Sequence, residues 1–427
     1  MINYSAQDIE RLRNLGRRVG EIAALPVQEH NRALWTAVND LRQIRPVLHT
    51  RDTPVFVLNV DGELTTRISD PFLRDVELGL LLRLYEWEHL RLDRYISKIV
   101  YCPCVIHDSG WGLPTSVQGN LGENDRHFGK YESQHFDKHI ASEDDVEKIK
   151  YHEVSYDEEA TMERLNLMHE IFDGILEVRL LGKNYFRVCP WDDIMTWLGM
   201  GDALMNFYVD PDMMHACIRR YMDVSIDWVK KYEALGLLSS NNCFDVVLHN
   251  GPGFTTELPA PTESGIGCRL KDIWGAASDQ ILTSVSPEMT QEFAYDYERE
   301  YSQLFGKFGI GCCERIDQRV PHILDTFKNV RQISVSPFSK LEESLEAIGN
   351  KAVACFKPNS NFLILDNWEE AKSLLTGEMR NALNLGRKYG SQLTINMKTI
   401  IHLCDEPQRL WWWCDMASKM INAEYGE

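Results

Sequence analysis

The sequence predicts an α/β protein built as a TIM-type (β/α)8 barrel with an N-terminal, mainly helical extension. Three observations lead to this prediction. Eight short apolar runs after residue 97 are separated by helical stretches, and the chain of 427 residues exceeds the ~250 that such a barrel usually needs. In addition, no glycine-rich phosphate-binding motif follows an early run. A doubly wound open sheet is the alternative fold.

The N-terminal extension is predicted over residues 1–97. Apolar residues recur at helical spacing in 9–22, 31–44 and 76–92, whereas 54–58 has the pattern of a short strand. This part of the chain shows no catalytic signature. We therefore expect it to pack on the barrel.

The barrel is predicted over residues 98–427, beginning with its first strand. The predicted strands are 98–106, 176–181, 244–249, 280–285, 307–313, 330–336, 351–356 and 393–399. The predicted helices that follow most of them are 157–174, 211–235, 287–305, 315–328, 340–348, 367–388 and 407–423. A long loop at about 107–155, rich in glycine, aspartate and histidine, follows the first strand, and loops of this length in enzymes usually cover or bind a ligand.

Composition and charge narrow the classes of partner and compartment. The chain has 64 acidic and 45 basic residues and a formal net charge of -19, which disfavours binding to nucleic acid or to anionic membranes. An anionic substrate stays open, because a pocket can carry local arginine and lysine. No secretory signal or apolar run of ~18 residues is visible. Together with eleven cysteines, several in apolar runs, this predicts a cytoplasmic protein; a homo-oligomer stays open.

The strongest cluster of reactive side chains ends the predicted strand 307–313, where Gly311 precedes Cys312, Cys313 and Glu314. A thiolate, a carboxylate and a distant histidine can hold zinc in an open site. Spacing alone favours packed thiols, since free cysteine is among the most buried residue types and no paired-cysteine zinc motif is present.

Other candidates follow from the same reasoning about strand ends, because a barrel presents its catalytic groups there. His107 and His135 belong to the long loop region and can act as acid, base or ligand. His249 ends the third predicted strand. Lys357 ends an apolar strand and can meet a carboxylate or phenolate, although a lysine leaving a strand end for solvent is the simpler interpretation.

Longer stretches of sequence resemble a known family. The run GCCERIDQRVPHILDTFKNVRQISVSPF (311–338), followed by KAVACFKPN (351–359), resembles a branch of the uroporphyrinogen decarboxylase-like superfamily. Arg315 stands where that branch has proline, and Ser360 stands for a later proline. Supporting matches are VNDLRQIRP (38–46), WDDIMTWLG (191–199), KDIWGAASDQ (271–280), SPEMTQEF (286–293) and EPQRL (406–410).

The resemblance implies a (β/α)8 barrel and one of two activities. True decarboxylases of the superfamily carry the motif RPPVWxMRQAGR, of which Arg45-Pro46-Val47-Leu48 is only a fragment. The other branch contains methyltransferases that pass methyl groups to or from cobalamin. Some of these hold zinc with a His-x-Cys pair at a strand end, and here Gly311 occupies the histidine position before Cys313. Glu314 or a loop histidine would have to replace that ligand.

We therefore expect a methyltransferase that moves a methyl group from a small donor, such as a methoxylated aromatic, to the cobalt of a separate corrinoid protein. The expected cofactors are the partner's corrinoid and zinc, which Cys313 and Glu314 would bind. The expected catalytic residues are Glu314, Cys313, His107 and His135, and the expected substrate-binding residues are Trp274, Gln280, Lys357 and His249. A decarboxylase of a tetrapyrrole or small aromatic carboxylate is the first alternative, and a non-catalytic corrinoid- or tetrapyrrole-binding protein is the second.

Overall fold

A seven-stranded, entirely parallel sheet forms the centre of the protein. The computed structural model describes residues 2–114, 136–199, 203–243 and 250–426. The strands are β1 Val47–Arg51, β2 Ile99–Pro103, β3 Val105–Asp108, β4 Val154–Asp157, β5 Glu177–Leu181, β6 Arg187–Val188, β7 Trp274–Ala277, β8 Lys307–Ile310, β9 Val330–Val335, β10 Val353–Phe356 and β11 Gln392–Lys398. The large sheet has the order β1-β11-β10-β9-β8-β7-β6, so all of its carboxyl ends lie at one edge.

The two faces of this sheet differ in polarity. Because side chains alternate along a strand, the register of strand pairing assigns each residue to a face. One face is apolar and belongs to the main hydrophobic core; it carries Leu48, Ile395, Phe356, Val335, Ile310, Ala277 and Val188. The other face is largely polar and carries His49, Asn396, Thr394, Cys355, Ser334, Gln332, Gly309 and Arg187. The polar side chains of the sheet therefore lie mainly on one of its two faces.

Helices cover the sheet and alternate with its strands. They are α1 Ala6–Ala23, α2 Pro26–Asn39, α3 Val55–Leu58, α4 Pro71–His89, α5 Glu158–Phe172, α6 Pro190–Leu198, α7 Asn206–Val209, α8 Pro211–Ala234, α9 Pro287–Thr290, α10 Asp296–Ser302, α11 Val320–Thr326, α12 Leu341–Ile348, α13 Trp368–Tyr389 and α14 Gln408–Tyr425. A π-helical turn, Gln291–Tyr295, joins α9 to α10. Short 3-10 helices span Glu143–Lys148, Leu270–Asp272, Gln280–Ser284 and Ser360–Ile364.

Local sequence explains where several helices begin. Ser5 caps α1, since its hydroxyl accepts the backbone N–H of Asp8 and the Asp8 carboxylate accepts the backbone N–H of Ser5. The carboxylate of Asp70 caps α4 by accepting the backbone N–H of Leu73, and Pro71 follows Asp70 at the first helical position. Within the described residues, no helix is both long enough and apolar enough to cross a membrane.

Helix α2 covers the polar face of the sheet near the amino ends of its strands. Gln332 donates through Nε2 to Oδ1 of Asn39 at 2.9 Å. The ring of Trp35 meets the ring of His49 edge to face, with centroids 5.9 Å apart. Gly251 passes directly over Trp35 with a φ of +137°, and an added Cβ would lie 2.4 Å from the indole. Helix α2 therefore covers the polar face near the amino ends of the strands. The polar side chains that can take part in a reaction lie near the carboxyl ends.

Most predicted elements are present, but two predicted strands are wrong. Residues 54–58 form the short helix α3, because the strand of this region lies earlier, at Val47–Arg51. Residues 280–285 contain a 3-10 helix, whereas the strand is the less hydrophobic run Trp274–Ala277. The predicted strand 244–249 lies outside the described residues.

The predicted first strand, 98–106, is divided between two smaller sheets. β2 pairs with β5 in parallel, and β3 pairs with β4 antiparallel. The division into an extension (1–97) and a barrel (98–427) stays a prediction. The strand β1 shows that residues before 98 contribute directly to the large sheet.

Candidate active site at the carboxyl ends of the parallel strands

The turn after β8 brings the cysteine pair to the polar face of the sheet. Gly311 has a φ of +90°, and a Cβ at this position would stand 3.0 Å from Cβ of Ser334 on β9. Only glycine fits this position without strain. The hydroxyl of Ser334 donates to the backbone carbonyl of Cys312 at 2.9 Å, which fixes the position of the turn beside β9.

Two lysines on neighbouring strands face the cysteine pair. The ammonium of Lys398, at the end of β11, donates to Sγ of Cys312 at 3.0 Å and to Sγ of Cys313 at 3.6 Å. Lys357 follows β10 and hydrogen-bonds the carbonyl of Cys312 and the hydroxyl of Ser334. Both lysines are buried. Because a buried ammonium is costly without partners, these contacts hold two positive charges at fixed positions.

The surroundings shift the pKa values of the two thiols in opposite directions. Their sulfur atoms are 3.6 Å apart. The hydrogen bond from Cys312, aided by the charges of Lys398 and Lys357, lowers the pKa of Cys313 to about 5. The same hydrogen bond and burial raise the pKa of Cys312 to about 11. At neutral pH the pair is therefore a thiolate on Cys313 and a thiol on Cys312.

The lysines themselves differ in acid strength. Burial lowers the pKa of Lys357. Burial also opposes the charge of Lys398, but the nearby sulfurs of Cys312 and Cys313 outweigh it and raise its pKa. Oδ2 of Asp52, at the end of β1, lies 3.5 Å from the Lys398 ammonium. Lys398 therefore stays protonated between the Cys313 thiolate and the Asp52 carboxylate.

Buried acids lie on the other side of the turn. Burial, followed by the charge of Glu314, raises the pKa of Asp279 to about 8. Burial and the nearby Asp279 raise the pKa of Glu298. The carboxyl groups of Asp279 and Glu298 hydrogen-bond each other, which lowers the pKa of Asp279 and raises that of Glu298. Burial also raises the pKa of Asp192 to about 6. Asp279 therefore holds a proton at neutral pH that an ordinary carboxyl would release, whereas Asp192 is mostly ionised there.

Arginine and hydroxyl groups complete this side of the cluster. The guanidinium of Arg187 donates through Nη2 to the hydroxyl of Ser278 at 2.6 Å. Sγ of Cys189 lies 3.5 Å from the same hydroxyl. Arg319 is buried and donates to the carbonyl of Leu282. Positive charge is therefore available beside the acids as well as beside the thiolate.

A cavity of about 260 Å³ opens at the carboxyl end of β1 and is lined by His49, Arg51 and Arg94, among others. His49 is 1% exposed, and neither of its ring nitrogens has a hydrogen-bond partner among the described residues. Burial, together with the charges of Arg94 and Arg51, lowers the pKa of His49 well below its usual value. Asp52 and Glu86 also line the cavity, and they pair with the two arginines: Arg51 with Asp52 at 3.2 Å and Arg94 with Glu86 at 2.8 Å. The cavity therefore offers a neutral imidazole beside charges of both signs.

The structure brings only some of the sequence-predicted residues to this place. Cys313, Glu314 and Lys357 lie at the ends of β8 and β10. Trp274 is at the amino end of β7, where its indole donates to the carbonyl of Gly253 at 3.0 Å. Gln280 is exposed on a 3-10 helix. Both were selected because the strand was predicted six residues too late.

The predicted histidines do not reach the cluster in the part of the chain that the structure describes. His107 is exposed on β3, opposite Ser155 of β4. No hydrogen bond or ion pair between described residues joins it to the cysteine pair. His135 and His249 lie outside the described residues.

The described residues do not form a zinc site around Cys313 and Glu314. Oε2 of Glu314 accepts the backbone N–H of Cys312 at 2.5 Å. The Lys398 ammonium donates to the sulfurs of both cysteines. Among described residues, the one group of three metal-ligating side chains is Glu63, Glu88 and His89, far along the chain on and near α4. Zinc on this pair is therefore not part of the function proposed below.

Several functional candidates were not selected from the sequence. Lys398 ends β11, a strand that the sequence locates, but its contact with the two sulfurs depends on the order of the strands. Correct boundaries for β6 and β7 would have found Arg187, which begins β6, and Asp279, which follows β7. Glu298 could not be found in this way. It belongs to the charged run Asp296–Ser302, which has the composition of a solvent-facing helix, yet it is fully buried.

Distant likenesses to the chain exist among solved structures. No protein-family model matches the sequence, and no curated protein matches it either. Among solved structures, a methyltransferase from Methanosarcina mazei is similar, with a TM-score of 0.46 and 13% sequence identity over 91% of this chain and 98% of that chain. A likeness at this level carries no argument about the activity of the chain, and the site residues have to carry it.

Proposed function

We propose that the protein is a methyltransferase that moves a methyl group from the oxygen of a small donor to the cobalt of a corrinoid protein. The observation that carries the proposal is the placement of the buried ammonium groups of Lys398 and Lys357 at the carboxyl ends of parallel strands. Fixed positive charge in a site of low polarity stabilises an oxygen that becomes anionic in the transition state.

The chemistry requires such a charge because the carbon–oxygen bond breaks with both electrons staying on oxygen. A phenolate or alkoxide leaves, and it needs either a cation or a proton. Lys398 supplies the cation. Asp279, whose pKa burial raises to about 8, can supply the proton. The corrinoid of the partner protein, when bound, supplies the nucleophile that takes the methyl group.

The donor in this proposal carries an acidic group, which would bind in the cavity at the end of β1 by competing with Asp52 and Glu86 for the arginines. Arg51 and Arg94 line this cavity, and Asp52 links it to Lys398 through the 3.5 Å ion pair. A carboxylate held by the arginines would place the rest of the donor towards the cysteine pair. A methoxylated aromatic acid has both features. We therefore include this substrate class in the proposal.

The proposal extends to the architecture and the partner. An eighth strand that closes the seven-stranded sheet into a (β/α)8 barrel would enclose the polar face, in keeping with the resemblance in sequence. The corrinoid protein would then dock on the carboxyl face. A cytoplasmic location is supported by the eleven cysteines, none of which forms a disulfide.

The test mixes the purified protein with chemically reduced cobalamin and a panel of methoxybenzoates. We expect loss of the cobalt(I) absorbance and formation of methylcobalamin with at least one donor. Lys398→Met should lower the rate by about 10²–10³-fold, as removal of one oxyanion-stabilising donor does elsewhere. Lys388→Met is the matched control, because Lys388 is an exposed residue that pairs with Glu342. The proposal loses its support if neither free cobalamin nor a corrinoid protein from the same source is methylated by any donor.

A decarboxylase is the second candidate, and a specific observation favours it. The arginines of the β1 cavity can hold one carboxylate, while protonated Asp279 can return a proton to the carbon that loses carbon dioxide. Release of carbon dioxide from an aromatic or tetrapyrrole acid without any corrinoid would select this candidate. Binding of a corrinoid or tetrapyrrole that is unaffected by Lys398→Met, without turnover, would instead select a binding protein.

A further inference from the structure

The two sulfurs of the cysteine pair are close, but their surroundings differ. Sγ of Cys312 and Sγ of Cys313 are 3.6 Å apart. Cys312 is 5% exposed and lies under the turn, whereas Cys313 is partly exposed. Lys398 donates to both sulfurs from the same side. One sulfur is thus accessible to solutes, and the other is held in contact behind it.

We propose that Cys312 and Cys313 are a peroxide-sensitive pair, in which Cys313 reacts with a hydroperoxide and Cys312 then closes a disulfide between the adjacent residues. This modification is separate from the proposed methyl transfer and does not depend on it. It would replace the negative sulfur beside Lys398 by a neutral disulfide.

The steps balance with hydrogen peroxide as the oxidant. The Cys313 thiolate attacks one peroxide oxygen, the O–O bond breaks, and hydroxide leaves, so that sulfur loses two electrons and becomes a sulfenic acid. The Cys312 sulfur then attacks the Cys313 sulfur and displaces the hydroxyl group. The proton of the Cys312 thiol leaves with that hydroxyl group as water.

The resolving thiol is the feature that distinguishes this site, because the acidity of Cys313 alone does not. A pKa of about 5 makes Cys313 almost entirely thiolate at neutral pH. However, the intrinsic nucleophilicity of a thiolate falls as its pKa falls, which offsets much of that gain. The adjacent thiol captures the sulfenic acid before a second peroxide can oxidise it further. The product, rather than the rate of the first step, is therefore the signature.

The other cysteines of the chain are poor competitors for this chemistry. Cys102 and Cys104 are close in sequence, but both are buried, and burial raises the pKa of each thiol. Cys404 is partly exposed, and its sulfur donates to the carbonyl of Ile364. No other cysteine sulfur lies in hydrogen-bonding contact with that of Cys404 among the described residues. Cys404 is therefore an internal control for an accessible thiol without a resolving neighbour.

The disulfide should be easy to reduce. Neighbouring Cα atoms are about 3.8 Å apart, below the usual spacing of about 4.4–6.8 Å across a disulfide. A strained disulfide is more readily reduced than a structural one. The modification is therefore expected to reverse in thiol buffers such as glutathione.

The test uses the intact, full-length protein and hydrogen peroxide, followed by alkylation, trypsin digestion and mass spectrometry. Lys307 and Arg315 bound one tryptic peptide, 308–315, which contains both cysteines of the pair and no others. After mild peroxide treatment, we expect this peptide to lose the mass of two hydrogen atoms and to resist alkylation. Prior reduction with dithiothreitol should restore two alkylation sites. Cys404 should remain alkylated throughout.

Two variants separate the roles of the sulfurs. Cys312→Ser should leave a sulfenic acid on Cys313 that a dimedone probe captures. Cys313→Ser should leave Cys312 reduced under the same conditions. The proposal is overturned if the wild-type peptide gains oxygen atoms without forming the disulfide, or if Cys404 is oxidised before the pair. These outcomes are read from mass and do not depend on whether the protein transfers methyl groups.

Discussion

Replacement of Lys398 by methionine should raise the pKa of Cys313 by a measurable amount. The ammonium lies 3.6 Å from the Cys313 sulfur. A full unit-charge interaction at that distance is about 4–5 kcal/mol at an effective dielectric constant of about 20. Cys313 is partly exposed, so solvent screens part of this energy. A shift of roughly 1–3 pKa units is the usual effect of one close opposite charge. The Cys313 pKa should thus rise from about 5 to roughly 6–8.

The assay is the rate of iodoacetamide alkylation of Cys313 as a function of pH, with the modified residue identified in the tryptic peptide 308–315. Wild type should give a midpoint near pH 5, and Lys398→Met a midpoint displaced upwards. Lys398→Arg, which keeps the charge, should stay close to wild type, and Lys388→Met should not differ from it. An unchanged midpoint in Lys398→Met, with the fold intact by circular dichroism, would refute the electrostatic account of the thiolate.

Two further predictions concern stability. Because burial raises the pKa of Asp279 from 3.8 to about 8, the folded state binds more protons than the unfolded state in this window, and stability falls as pH rises through it. The free energy of unfolding of Asp279→Asn, measured in urea, should therefore depend less on pH than that of wild type. The stability of the variant relative to wild type should be higher at pH 8 than at pH 5. The same pH dependence in both proteins would contradict this. Gly311→Ala should destabilise by about 1–3 kcal/mol, because its φ is +90° and its Cβ would meet Ser334. Gly377 lies inside α13 with open space around an added Cβ, so Gly377→Ala should instead stabilise the protein by about 0.5–1 kcal/mol. Equal effects of the two substitutions on the urea midpoint would contradict the steric argument.

The fold was predictable to the extent that periodicity and length report on burial. β9, β10 and β11 are apolar runs bounded by turns, and the sequence locates them within two residues. β7 was missed because Trp274-Gly275-Ala276-Ala277 contains small residues that let Phe305 pack closely against the strand; a Cβ on Gly275 would lie 2.3 Å from that ring. Small residues of this kind carry a weak strand signal. The more hydrophobic run after it attracted the prediction instead.

Residues of the candidate site could be predicted from the sequence where their positions follow from the strand boundaries. Contacts that depend on how distant parts of the chain pack together could not be predicted. Cys313 and Lys357 follow strands that the sequence locates, so their arrival at one edge of a parallel sheet could be expected. The pairing of Lys398 with the two sulfurs depends on β11 lying three strands away from β8, and the order of strands is a tertiary property. The burial of Glu298 depends on packing around the π-helical turn, which no local pattern announces.

The backbone at the ends of β1 and β11 argues that the position of Lys398 is specified rather than incidental. Asp52 and Thr399, the residues that follow these two strands, both have left-handed φ values, 58° and 59°. Such a conformation costs on the order of 1–2 kcal/mol in a residue other than glycine. In return, Asp52 reaches the Lys398 ammonium at 3.5 Å, and the Thr399 hydroxyl lies 3.9 Å from Sγ of Cys313. Strain of this kind collects where the surrounding structure fixes functional groups. Two strained residues on either side of one buried lysine therefore favour a preorganised site over a chance cluster of polar side chains.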